Sequence, residues 1–169
     1  MRITSAQVAK KLRYLNNELK TLQLREDKTS SFVAALQEDI ESVRPEYDFK
    51  EMRNAQEAIE MKIRKLKHAI NVFNTTTLVP DFNMTIDEML VFLPQLTKRC
   101  DALSKMRDAV PKVRVNTGYT SSGTIIDYKY ANYSIEEAER YYLEVSALLA
   151  KAQTALDLVN STVEFEIDI

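Results

Sequence analysis

Residues 48–76 read as one long amphipathic helix, and a second segment of the same layout opens 86 residues later, at Ser134. In the first, Met52, Ile59, Ile63, Leu66, Ile70 and Phe73 recur at helical spacing. In the second, Ile135, Ala138, Tyr142, Val145, Leu149, Ala152, Leu156 and Val159 keep phase throughout. That offset lays Asp48 on Ser134, Glu51 on Glu137, Ile63 on Leu149 and Phe73 on Val159, and it pairs two polar endings: Asn74, Thr75 and Thr76 with Asn160, Ser161 and Thr162. Helical periodicity alone does not demand such an ending, so a duplication explains the match better than chance alignment does. Amphipathic helices must bury their stripes against one another. The pattern predicts a mainly α fold: a single domain, 1–169, folded as an antiparallel four-helix bundle of two duplicated helical hairpins, with repeats at about 4–76 and 85–162 and coiled-coil-like seams.

The remaining elements fit that scheme. Thr4 with Gln7 predicts a capping box, with Ile3 and Val8 as its staple, ahead of a seam of Val8, Leu12, Leu15, Leu19 and Leu22 that fades at Arg25. Residues 29–47 are ambiguous: Phe32, Leu36, Ile40 and Val43 could line a short helix, residues 30–34 could equally run extended, and Pro45 ends either version. Asp48 caps the next helix, and Asn74 is expected to close it in the left-handed conformation. Thr85 and Glu88 predict a second capping box before the stripe Ile86, Met89, Leu93, Leu96, Cys100 and Leu103, where Pro94 should kink the helix rather than split it. After Pro111 the period changes to two. Val113 and Val115 lie on one side of a short run and Ile126, Tyr128 and Tyr130 on one side of another, with both glycines, Gly118 and Gly123, in the turn between them, which predicts a small β-hairpin between the third and fourth principal helices. The alternating tail, residues 163–168, reads as a half-buried strand that could pair with that hairpin.

Composition narrows the function classes. Two glycines and four prolines favour long helices, and a formal charge of −2 argues against a dominant field for nucleic acid or an anionic membrane. Cys100 is the single cysteine, so the chain forms no intramolecular disulfide framework, and no apolar run reaches the roughly 18 residues of a membrane helix. These features predict a cytoplasmic protein without membrane partners.

The helix ending at residues 70–76, the opening Thr85, Ile86, Asp87, Glu88, Met89 and Leu90, and the last helix running into Asn160, Ser161 and Thr162 resemble a family of small bacterial helical proteins of unknown role, some called septicolysins. The resemblance covers most of the chain in order of elements. It implies a helical fold and supplies no catalytic residues. The name implies membrane damage, for which the chain offers no sufficiently apolar segment.

No constellation for catalysis stands out. A carboxylate-bridged di-metal bundle needs Glu-x-x-His pairs on two helices, whereas His68 is the single histidine and follows Lys65 at that spacing. No cofactor and no metal site are expected, and an enzymatic role is disfavoured. Cys100 on its seam reads as a small core residue, and the cations Lys62, Arg64, Lys65 and Lys67 spread around their helix as a solubilising surface. The tyrosines Tyr119, Tyr128, Tyr130, Tyr133 and Tyr141 form the candidate interaction surface, because tyrosine offers a large semi-rigid contact area with a polar tip. Asn74, Thr75, Thr76, Asn160, Ser161 and Thr162 form a candidate pair of polar helix ends. The sequence thus predicts a non-enzymatic structural or protein-interaction module that self-associates as a homo-oligomer. An RNA-associated helical hairpin, or a small-ligand or metal-dependent enzyme assembled across subunits, are the alternatives.

Overall fold

The computed structural model describes residues 1–115 and 127–168, and among them the protein is mainly helical, with five helices and three small antiparallel strand pairs. In chain order these are β1 (Arg2–Thr4), α1 (Ser5–Thr29), α2 (Ile40–Val43), α3 (Phe49–Thr76), β2 (Leu78–Val79), β3 (Met84–Thr85), α4 (Ile86–Arg107), β4 (Lys112–Arg114), β5 (Tyr128–Tyr130), α5 (Ile135–Thr162) and β6 (Glu164–Glu166). They form two compact units, one of Met1–Thr77 with Leu158–Ile169 and one of Leu78–Asp157.

In the first unit α1 and α3 run antiparallel, since Glu26 near the end of α1 meets Arg53 and Gln56 near the start of α3. Their seams meet as periodicity predicts. Val8, Leu15, Ile59, Ile63 and Leu66 are buried together, with Leu12, Leu19, Leu22 and Ile70 packed against them. The Thr4–Gln7 capping box has both of its bonds, Thr4 N to Gln7 Oε1 at 3.1 Å and Gln7 N to Thr4 Oγ1 at 3.3 Å. Beyond Arg25 the helix continues to Thr29, past the end of its seam; in the rest of the ambiguous connector Ile40–Val43 is helical.

The tail does not pair with the hairpin. β6 pairs with β1, setting Ile3 opposite Phe165 and Thr4 opposite Glu164. Alternation places Phe165 and Ile167 on the side that closes this unit's core: Ile167 is buried in it, and the Phe165 ring stacks on Phe73 at 4.3 Å. Period-two alternation announces a strand but not its partner.

Nor does Asn74 end α3 in a left-handed turn. The helix runs through Thr76, and Thr77 follows in extended conformation at φ −92° and ψ 122°. The hydroxyls do the terminal work: Thr76 Oγ1 donates to Val72 O at 2.7 Å, Thr75 Oγ1 to Asn71 O at 3.0 Å, and the Thr77 N–H to Phe73 O at 3.0 Å. The end of α5 has the same bonds at the same offset, Thr162 Oγ1 to Leu158 O at 2.6 Å and Val163 N to Val159 O at 3.0 Å. With these carbonyls engaged, each helix is followed after one residue by a strand, β2 from Leu78 and β6 from Glu164.

The second unit holds α4, most of α5 and the pairs β2–β3 and β4–β5. β2 and β3 pair Leu78 with Thr85 and Val79 with Met84; the turn between them places Asp81 and Asn83 at φ 67° and 49°, positions that these two residue types tolerate better than most. The Thr85–Glu88 capping box is complete, and α4 is one helix through Pro94. Arg107 at the end of α4 lies over the Tyr142 ring near the start of α5, while Lys151 further along α5 meets Asp81 ahead of α4, so these two helices are also antiparallel. All eight predicted seam positions of α5 are buried or half-buried. The predicted hairpin strands pair as Lys112 with Tyr130, Val113 with Lys129 and Arg114 with Tyr128. Its turn, with Gly118, Tyr119, Gly123 and Ile126, lies outside the described residues.

Candidate functional site

The candidate surface is built on the β4–β5 ribbon. Val115 N donates to Asp127 O at 2.9 Å and Ala131 N to Pro111 O at 3.1 Å, which extends the ladder one step beyond each end of β4. All six strand residues are exposed. Strand alternation and register place Lys112, Arg114, Tyr128 and Tyr130 on one face and Val113 and Lys129 on the other.

On the first face lie Tyr128 and Tyr130, 43% and 61% exposed as residues, with their rings 6.5 Å apart and tilted by 51°. The Lys112 ammonium sits 4.1 Å from one ring centroid and 5.4 Å from the other, in the range of a cation–π contact. The second face closes over the end of α4, leaving a cleft of about 560 Å³ floored by Ala109, Val110 and Val113 and edged by Lys105, Lys129 and Tyr133. Tyr130 lines it as well. Tyr133 is held in place, its hydroxyl donating to Met106 O at 3.0 Å.

Tyr128, Tyr130 and Tyr133 are therefore brought together. Tyr141 stands apart from the cleft, exposed on α5 with the Arg140 guanidinium 5.5 Å from its ring centroid, and Tyr119 lies outside the described residues. What tyrosine spacing alone does not reveal is the charge around them. From Lys105 to Tyr133 the sequence holds five cations, Lys105, Arg107, Lys112, Arg114 and Lys129, against two carboxylates, Asp108 and Asp127, in a chain of net charge −2. Arg107 is committed to Asp108 at 3.0 Å, which together with Tyr142 holds it firmly cationic. Among the described residues no ion pair engages Lys112, Arg114 or Lys129. The alternation of Lys112 and Arg114 around Val113 was the available signal.

The polar helix ends behave differently. Both belong to the first unit, and the hydroxyls of Thr75, Thr76, Ser161 and Thr162 turn back onto carbonyls of their own helices. Asn74 and Asn160 are half-buried. A cleft of about 520 Å³ lies beside the first of these ends, between α3 and the tail, with Val72, Phe73, Thr76, Phe165 and the exposed His68 on its walls.

A second polar cluster, in the first unit, went unannounced. The Glu26 carboxylate accepts from the Tyr47 hydroxyl at 2.8 Å, from Gln56 Nε2 at 2.9 Å and from the Arg53 guanidinium. Gln56, 6% exposed, occupies the seam position between Met52 and Ile59, and a polar residue in that gap was its signature. Among the described residues no group of three His, Cys, Asp or Glu side chains could hold a metal ion, and no helix is long and apolar enough to cross a membrane.

No family model matches the chain, and no curated protein matches it. Among solved structures it is similar to a functionally unknown conserved protein from Corynebacterium diphtheriae, at 15% identity and a TM-score of 0.59, over 98% of this chain and 100% of that one. At that identity the likeness is one of fold.

Proposed function

We propose that the protein is a non-catalytic interaction module, a duplicated pair of helical hairpins that presents the β4–β5 ribbon to a partner. The observation that carries this is the ribbon itself: six exposed strand residues, two of them tyrosines, followed by Tyr133, whose hydroxyl donates to the Met106 carbonyl at the end of α4. Large aromatic side chains left exposed on a fixed scaffold suit recognition better than stability. The duplication is supported by equivalent detail in each half. Thr4 opposite Glu164 and Ile3 opposite Phe165 correspond to Thr85 opposite Leu78 and Met84 opposite Val79, and both pairs lead into a threonine capping box. The test is retention of a lysate component on the immobilised chain. Tyr128→Ser with Tyr130→Ser should abolish retention while leaving the helical circular dichroism and the melting temperature unchanged; retention unaffected by the pair would reject the reading.

A second reading, self-association, is favoured by a separate feature. Val33 and Leu36 are 94% and 104% exposed, beside exposed Phe32, Ile40 and Val43 in the connector between α1 and α3. Five apolar side chains displayed within a dozen residues suit a contact between copies.

A further inference from the structure

We propose that the β4–β5 ribbon binds single-stranded nucleic acid, stacking bases on Tyr128 and Tyr130 and holding phosphates with Lys112, Arg114, Lys129 and Lys105. This deepens, and rests on, the interaction-module reading. Three observations select this partner. First, the charge is local and predominantly positive, five cations against two carboxylates between Lys105 and Tyr133, and Lys112, Arg114 and Lys129 have no ion-pair partner among the described residues, although the whole chain is net negative. Phosphate chains are bound through such uncompensated cations. Second, the cations occupy both faces of an exposed ribbon, an arrangement that repels a second copy edge to edge and welcomes a polyanion. Third, the aromatic pair has a spacing that speaks to strandedness. Rings 6.5 Å apart and tilted by 51° do not match bases stacked at about 3.4 Å in a duplex, whereas a strand with its bases spread apart can place one base on each ring. The cleft behind the ribbon, with an apolar floor between Lys105 and Lys129, offers room for a neighbouring nucleotide, and its phosphate would meet two ammonium groups and no carboxylate.

The experiment is fluorescence anisotropy of the full chain with labelled 12-mers of single-stranded RNA, single-stranded DNA of the same sequence, and the corresponding duplex. The expected result is binding of the single strands, with Kd rising on the order of fiftyfold between about 50 and 200 mM salt, as about four phosphate contacts require. Tyr130→Ala should weaken binding about tenfold, Tyr130→Phe should retain it, and Lys112→Glu with Lys129→Glu should abolish it. All of these side chains are exposed, so an unchanged melting temperature verifies that each variant is folded. RNA and DNA binding alike support the proposal, and the tighter of the two identifies the source. Any of three results overturns it: no binding at low salt, binding of the duplex as tightly as of the strands, or equal losses for Tyr130→Phe and Tyr130→Ala. Competition by polyglutamate at equal charge as effectively as by unlabelled strand also overturns it, since bare polyanion attraction would then suffice. If the ribbon substitutions abolish lysate retention while the oligonucleotides do not bind, this inference fails alone; if retention is indifferent to them, the interaction-module reading fails beneath it.

Discussion

A buried amide in an apolar seam sets the energetics at the end of the first helical hairpin. Gln56 is buried between Met52 and Ile59, and its Nε2 donates to Glu26. Truncating the acceptor leaves that donor without a partner, which costs more than the bond contributes when formed. Glu26→Ala should therefore lose roughly 1–3 kcal/mol in urea unfolding. Adding Gln56→Leu removes the orphaned donor and completes the apolar stripe, so the double variant should recover part of that loss. A Glu26→Ala variant as stable as the parent would reject this account. Glu88 gives a second residue-scale prediction, this time in pH. Its carboxylate accepts from the Thr85 N–H at 2.7 Å and the Thr85 hydroxyl at 2.9 Å, and these bonds hold its pKa below the usual glutamate value. A group whose folded pKa is depressed contributes stability that is fully present above the unfolded pKa and lost as pH falls through the folded one. Glu88→Gln should therefore flatten the loss of melting temperature as pH falls from about 5 towards 3. The Thr4–Gln7 box has no carboxylate to protonate and supplies the internal control. An acid limb identical to the parent's would show that Glu88 has no such part.

At the scale of elements, the helices were legible because their stabilising pattern is local and repeated. Thr4 with Gln7 and Thr85 with Glu88 announce two starts, and the eight α5 positions share a single face. What the sequence hides is whatever two or three residues decide. β2 and β3 have two residues each, too few for a period to declare itself, and the partner of the tail lies at the other end of the chain. The helix ends were misread in mechanism: asparagine suggested a left-handed cap, but threonine hydroxyls bonded to the preceding turn keep the chain helical to Thr76 and Thr162. The tyrosines of the candidate site were visible as residues, whereas their grouping, Tyr130 with Tyr133 and apart from Tyr141, depends on the register of β4 and β5. Pro94 is the remaining irregularity. It is exposed inside a continuous α4 and offers no N–H to the Leu90 carbonyl one turn earlier. Pro94→Ala restores that donor without disturbing a buried contact. It should stabilise by about 1–3 kcal/mol, with a rise in melting temperature of roughly 2–4 °C per kcal/mol. A lower melting temperature would mean that neighbouring packing depends on the proline.

For the whole molecule, two exposed features pull association in different directions. The ribbon is cationic and discourages pairing of like with like, while the connector ahead of α3 displays Phe32, Val33, Leu36, Ile40 and Val43. A stable dimer buries about 800 Å² per partner, more than a few connector side chains readily supply. Association through this segment should accordingly be weak, reversible and insensitive to salt, since apolar burial drives it. Light scattering across a concentration series should show the average mass rising from that of the 19.5 kDa monomer. Val33→Ser with Leu36→Ser should hold the protein monomeric at every concentration without lowering its melting temperature, because neither side chain is buried in the folded chain. The ribbon pair Tyr128→Ser and Tyr130→Ser should leave the mass series unchanged, which separates self-association from recognition of a partner. A parent protein that stays monomeric at the highest concentration, or an association that survives Val33→Ser with Leu36→Ser, would remove the connector as a contact between copies and leave its exposed apolar side chains for a different partner.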